Sequence, residues 1–207
     1  MKNYLPCAAA VLVLAGALTS VASAQIGRRF PSEKKIVPDP VTGVPLTFLT
    51  STPSGDSKIY QTHHQWTSDG KWLIFRSNRV RGQAMAVNEE TGDIVQVTEG
   101  GYSGMLCVAD NSMNLYFART PGMVLADASN APASGGAMVP ANASAETIAA
   151  AAAAGGGRGG RSTIPSQIVR VDLAKLFADS AKGQMKAPTE YEHVLGGTWA
   201  PWPVCGD

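Results

Sequence analysis

The chain has 207 residues, with 17 Lys and Arg against 16 Asp and Glu, and 44% of it is hydrophobic. So close a balance leaves no basic excess for a phosphate backbone, and nucleic acid is therefore not an expected partner. An acidic small ligand could be held only by a local cluster of cations.

Residues 1–24 read as a secretory leader: Lys2 opens it, an apolar run extends from Ala8 to Leu18, and Ala22-Ser23-Ala24 forms a small-residue cleavage site before Gln25. The run is shorter than the ~20 apolar residues of a spanning helix. The expectation is a mature chain that starts at Gln25, resides in the periplasm or outside the cell, and keeps no membrane anchor. Cleavage removes Lys2 and Cys7, leaving Cys107 and Cys205. Two cysteines so far apart define no disulfide framework, and they are read as a buried thiol and a stray terminal one, with a disulfide between them as the alternative.

Residues 25–59 form an amino-terminal arm and one strand. Arg28 to Pro40 is charged and Pro-rich, an extended segment with Arg28, Arg29, Lys34 and Lys35 in solvent. Val44 to Thr50 alternates apolar and polar residues like a strand, with no partner strands before it. Such an orphan suits the closing strand of a ring of sheets, its side chains, Leu49 among them, left open to other chains.

Residues 60–101 and 102–197 are two diverged copies of one unit. In the first, Gln65-Trp66-Thr67 and Trp72-Leu73-Ile74-Phe75-Arg76-Ser77 flank a polar turn with Asp69-Gly70 at its tip, a hairpin signal. In the second, Asp110-Asn111 takes that place before Asn114-Leu115-Tyr116-Phe117-Ala118-Arg119, with a turn read as one residue longer. Third strands follow at Gln83–Asn88 and Gln167–Asp172, and fourth strands at Ile94–Thr98 and Tyr191–Leu195. Four short strands ending in Gly-Gly, twice over, give an all-β fold: an incomplete β-propeller of about two four-stranded blades plus the amino-terminal closing strand.

The second copy is interrupted at 121–165 by a segment rich in Ala, Gly and Ser, expected to be a largely disordered surface loop with fast amide exchange from Pro121 to Ser162. A shorter insertion, Leu173–Asp179, precedes its fourth strand and reads as a helical turn or two. Residues 198–207, which include Trp199-Ala200-Pro201-Trp202-Pro203, read as a truncated or altered tail where a third blade would begin. A bare blade face there makes self-association the expected behaviour.

From Tyr60 through His63-His64-Gln65-Trp66-Thr67-Ser68-Asp69-Gly70-Lys71-Trp72 to Arg79, the chain resembles the first blade of the oligogalacturonate lyase family of polysaccharide lyases. Pro31-Ser32-Glu33-Lys34, Asp39-Pro40-Val41-Thr42-Gly43 and Leu46-Thr47-Phe48-Leu49-Thr50 resemble that family's opening arm and closing strand. The likeness covers roughly Ile26 to Arg119 and Gln167 to Gly197. It implies β-elimination on short galacturonic acid chains in pectin breakdown, with a histidine base and a manganese or similar divalent ion held by histidine and glutamine. An arginine and that metal draw charge onto the substrate carboxylate, as a carbanion-like intermediate requires. The family's base and ligands belong to later blades and have no matching positions here, so neither a catalytic residue nor a metal ligand is assigned.

His63, His64, Arg76 and Arg79 are the residues that could meet an acidic oligosaccharide. His63 and His64 are adjacent on an expected inner strand and so point to opposite sides, and adjacent strand positions rarely both ligate one metal. Packing of one against Trp66 with the other solvated is the reading to set beside ligand contact. For Arg76 and Arg79 the corresponding reading is a solvated blade edge. His193 belongs to an outer strand, and Trp66, Trp72, Phe75, Tyr116 and Phe117 are expected in an interblade core. The alternatives to a lyase are a TolB-like propeller, which shares the Ser-Asp-Gly-Lys turn and binds a protein without catalysis, and a fragment without function.

Overall fold

The computed structural model describes residues 25–125, 138–140, 142–153 and 166–197. The leader, the tail and parts of the Ala- and Gly-rich insertion lie outside them. The chain is built of antiparallel sheets with few helices, as the all-β reading expects.

In chain order the amino-terminal strands are β1 (Arg29–Phe30), β2 (Lys35–Pro38), β3 (Pro45–Phe48) and β4 (Ser57–Lys58). The first repeat supplies β5 (Trp72–Arg76), β6 (Ala84–Asn88) and β7 (Ile94–Gln96). The second supplies β8 (Ser103–Val108), β9 (Asn114–Arg119), β10 (Met123–Leu125), β11 (Met138–Pro140), β12 (Gln167–Asp172) and β13 (Glu192–Gly197), with helices α1 (Ala145–Ala153) and α2 (Leu173–Ala181).

The first sheet has the order β1-β7-β6-β5-β4 and the second β13-β12-β9-β8. The first thus gains a strand over the expected four, because Arg29 and Phe30 leave the arm to pair with Val95 and Ile94. Every residue of β6 is buried, so this strand is covered on both faces and reads as a continuous apolar run rather than an alternation.

The turn between the first two strands of each repeat closes in the same way. The Thr67 N–H donates to the Trp72 carbonyl at 2.9 Å, and the Ala109 N–H donates to the Asn114 carbonyl at 3.0 Å. Both loops therefore have four residues, and the second lacks the extra residue expected of it, because the closing hydrogen bond and not the side-chain types sets the loop length. In the first loop the Asp69 carboxylate accepts from the Thr67 hydroxyl and the Lys71 N–H, and Gly70 takes φ +69°, a conformation that glycine adopts without strain.

One face of each sheet contributes to a single core. Trp72, Ile74, Ala84, Ala86 and Val95 of the first sheet meet Leu106, Val108, Leu115, Phe117, Val169 and Val171 of the second. The other face of the first sheet forms a smaller cluster, Phe75, Met85, Val87 and Ile94, against which Phe30 and Leu49 of the arm pack. Leu49, expected to be open to other chains, is thereby partly covered.

Helix α2 is longer than the one or two turns expected. Asp172 caps it by accepting the Lys175 N–H at 2.9 Å. Its buried residues Leu173, Leu176, Phe177 and Ser180 recur with helical spacing and face the shared core. Phe177 stacks on Trp72 with ring centroids 4.0 Å apart and planes 13° from parallel.

Four expectations change. β3 is not an orphan: it pairs with β2 from Lys35↔Phe48 to Pro38↔Pro45, a separate ribbon within the segment read as an unpaired arm. The Asp39–Gly43 turn makes this possible, since the Asp39 carboxylate accepts from the Val41 and Thr42 N–H groups. Within the insertion read as largely disordered, β10 pairs with β11, and α1 follows with the exposed face Ala145 to Thr147. Alanine's high helix propensity supports α1. Trp66 is 38% exposed rather than in the core. Cys107 is fully buried and disulfide-bonded rather than a free thiol, and the other two cysteines lie outside the described residues. No helix among the described residues is long and apolar enough to cross a membrane.

Trp72→Ala and Phe177→Ala should each lower unfolding stability by about 3–5 kcal/mol, the usual cost of deleting a buried aromatic. The double variant should lose about 0.5–1.5 kcal/mol less than the sum, the coupling of a ring pair. Urea unfolding of the four proteins measures both, and additive losses would mean that the stack contributes nothing beyond its area.

Candidate functional site

The candidate residues lie on and around strand β5, one edge of which is covered in two pieces. Ser57 and Lys58 pair with Arg76 and Phe75, and Trp66 bridges to Leu73. Between them the chain leaves the edge and returns where the Ile74 N–H donates to the Gln65 carbonyl at 2.8 Å. His63 and His64 sit on this excursion, not on the continuous inner strand expected for them, because the Tyr60–His63 turn interrupts the ladder: the His63 N–H donates to the Tyr60 carbonyl at 3.0 Å.

His63 meets the Tyr60 ring edge-on at 5.4 Å, so its packing partner is Tyr60 and not Trp66. His64 reaches the second sheet, where its Nε2 lies 3.0 Å from a carboxylate oxygen of Asp110. His193 lies in the outer strand β13 and pairs across with Arg170.

Neither arginine is a solvated edge. Arg76 continues the row Trp72, Ile74 on the core side of β5 and is 5% exposed. Its charge acts on Tyr102, whose hydroxyl is pushed up to about 12 by burial, with the guanidinium pulling the other way. Arg79 lies in the connection after β5, and its side chain is also only 5% exposed.

Arg79 is the hub of a clamp. Its Nη2 and Nε donate to Glu33 at 2.7 and 3.3 Å, and its Nη1 donates to Asp56 and, at 2.8 Å, to the Ser77 hydroxyl. Glu33 also accepts the Ser51 and Thr52 N–H groups at 2.8 and 3.0 Å and the Thr52 hydroxyl at 2.8 Å. Glu33 lies just before the β2–β3 ribbon, separated from it by Lys34, and Ser51-Thr52 lie just after it, so one carboxylate ties both legs of the ribbon to the first sheet. Burial alone would raise the Glu33 pKa, but the Arg79 hydrogen bond and those from Ser51 and Thr52 prevail and hold it at about 2.

A second clamp ties β9 and β13 of the second sheet to the Glu99–Gly101 connection that leads in from β7. Arg119 donates from both terminal nitrogens to the two oxygens of Glu192 at 2.8 Å each, from Nε to the Gly101 carbonyl at 3.1 Å, and also to the Glu99 carbonyl. Glu33, Asp56, Asp110 and Glu192 escape a reading of the sequence because their partners are 23 to 73 residues away or on another sheet, with no local spacing to mark them. The one available cue is a carboxylate beside a turn or strand end, which is common to many surface residues.

The four candidates thus face four ways: His63 toward Tyr60, His64 toward Asp110, Arg76 toward Tyr102, and Arg79 into its carboxylates. A cation held by two carboxylates is already neutralised, so Arg79 as placed supplies little field to an acidic sugar.

Two solved structures of oligogalacturonate lyases align with the chain. A structure of such an enzyme from Vibrio parahaemolyticus aligns with 84% of this chain and 49% of its own, at 14% identity and a TM-score of 0.42. An oligogalacturonate lyase in complex with manganese aligns with 84% of this chain and 50% of its own, at 16% identity and the same TM-score. The chain spans about half the length of those structures. No family model matches it, and no curated protein does.

The resident groups do not fit a manganese ion. Among the described residues no three His, Cys, Asp or Glu side chains converge as a metal site needs, and His63 and His64 have separate partners.

The Glu33 clamp makes a pH prediction. Its folded pKa lies below the usual carboxylate value, so its contribution is complete above about pH 5 and is lost as pH falls from about 4.5 through 2. Glu33→Gln should flatten that part of the stability profile, whereas Arg79→Ala should cost about 3–5 kcal/mol at neutral pH by stranding buried carboxylates. Denaturant unfolding between pH 2 and 7 reads both effects, and an unchanged acid limb in Glu33→Gln would remove the clamp from the account.

Proposed function

We propose that the chain is a secreted or periplasmic protein that forms the first two blades of a propeller related to oligogalacturonate lyase, with the elimination chemistry supplied by residues outside the described part. The observation that carries this reading is the placement of the Tyr60–Arg79 segment, on which the sequence resemblance rests. It supplies β5 and the Trp66 bridge along one edge of the first sheet, and that sheet shares its core with the second sheet. In this reading the acidic oligosaccharide runs along that edge, where His63 and His64 on the excursion are the contacts and Arg76 adds positive charge from beneath. Arg79 holds the arm and does not bind substrate.

The mature chain by itself then lacks a base and a metal site, and it should form no unsaturated product from oligogalacturonate with or without manganese. Ultraviolet absorbance of purified Gln25–Asp207 tests this, and product formation that His63→Ala or His64→Ala abolishes would move the chemistry into this chain.

A protein-binding or self-associating chain is the second reading, favoured by the ribbon. Ile36, Val41, Val44, Leu46 and Phe48 are 62, 90, 56, 41 and 44% exposed, and a lone two-stranded ribbon is marginal in water. Light scattering should find oligomers that Leu46→Asp with Phe48→Asp shifts toward monomer. A monodisperse parent chain would rule out self-association through this surface.

A further inference from the structure

The edge of the first sheet beside β5 carries an exposed aromatic ring and an exposed cation on the same side. Lys58 pairs with Phe75, and Trp66 with Leu73. Phe75 and Leu73 are two positions apart on β5 and point the same way, and residues opposite each other across an antiparallel pair share a side. Lys58 and Trp66 therefore stand on the side away from the shared core, two strand steps or about 7 Å apart along the edge. Both are exposed, Trp66 by 38%. Asp56, two residues before Lys58, is bound by Arg79, and no carboxylate among the described residues pairs with the Lys58 ammonium. The exposed residues nearest to Trp66 in sequence, Gln61, Thr62, His64 and Ser68, are all polar.

We propose that Trp66 and Lys58 form a subsite for one ring of a sugar acid, with the C–H face of the ring lying on the indole and its carboxylate meeting the Lys58 ammonium. This rests on the oligosaccharide reading of the edge and names residues that carry it. A single indole among hydrogen-bonding side chains does not make the contiguous apolar patch of a protein interface. It suits a ligand that is apolar on one face and polar around its rim, as a pyranose ring is. The long, flexible stem of Lys58 lets its ammonium come to that rim. The charge that recognises the acid is then Lys58, because Arg79 is neutralised by Glu33 and Asp56 and Arg76 is buried on the opposite side of β5.

The test is a nuclear magnetic resonance titration of the isotope-labelled chain with digalacturonate and with its neutral counterpart digalactose. The Trp66 indole N–H, identified as the signal that Trp66→Ala removes, and the Lys58 and Trp66 amides should shift together with one Kd. Digalactose should bind about two- to fivefold more weakly, the worth of one exposed ion pair. Lys58→Ala should weaken digalacturonate by the same factor and leave digalactose unchanged, and Lys58→Arg should restore the difference. Lys71→Ala, which removes an exposed lysine from the neighbouring turn, should change neither ligand. Trp66→Ala should weaken both by at least about tenfold. These side chains are all exposed, so the amide pattern of the folded chain should persist in every variant. Shifts at His63 and His64 without Trp66 overturn the subsite and leave the oligosaccharide reading standing. Equal binding of the two disaccharides overturns the role of Lys58, and no shift of any resonance with either ligand overturns the subsite and the oligosaccharide reading together.

Discussion

Each sheet has one face that water cannot be allowed to keep, and neither can bury it alone. Trp72 and Ile74 on one side and Phe117, Val169 and Val171 on the other are covered only when the two repeats lie together. Each such side chain contributes about 1.5–3 kcal/mol on burial, against a net of about 0.5–1.5 kcal/mol for an ordinary hydrogen bond. The remaining features seal the margins of that contact. Helix α2 covers one margin by stacking Phe177 on Trp72, and Ile26 enters beside it. Arg119 and Glu192 bind at another, where a bidentate pair also fixes register.

The arm follows a different logic. The β2–β3 ribbon has little core of its own, and its position depends on the Glu33–Arg79–Asp56 clamp. Two carboxylates around one buried guanidinium are favourable only because further donors satisfy Glu33, namely the Ser51 and Thr52 amides and the Thr52 hydroxyl. Arg79 is consumed in this role. The electrostatics of the first sheet's edge thus differ from what a count of arginines implies, since Arg79 is neutralised and Arg76 lies beneath the surface beside Tyr102.

Most strands were legible because their cause is local. Alternation, β-branched and aromatic residues and turn chemistry place β5, β6, β9 and β12 within a residue of where the pattern puts them. The edge beside β5 departs from its pattern for an equally physical reason. Nothing in Tyr60–Gln65 marks the turn that lifts His63 and His64 off the ladder, since the segment lacks the Gly and Pro that usually announce one. The ribbon was half legible: β3 has the alternation of a strand, but β2 is charged and ends in Pro38, and it becomes a strand only because β3 is folded back on it.

Composition and pattern by themselves determined the all-β class, the turn at Asp69-Gly70 and the helical character after Asp172, because each follows from neighbours within a few residues. Tertiary structure alone decided which charges are free. Glu33 finds Arg79 across 46 residues and Glu192 finds Arg119 across 73. Such pairings are set by how sheets and arm pack, and packing is a property of surfaces that only the whole fold creates. The same holds for Ile26, an ordinary apolar residue in sequence that becomes part of the core because β7 and α2 leave a place between them.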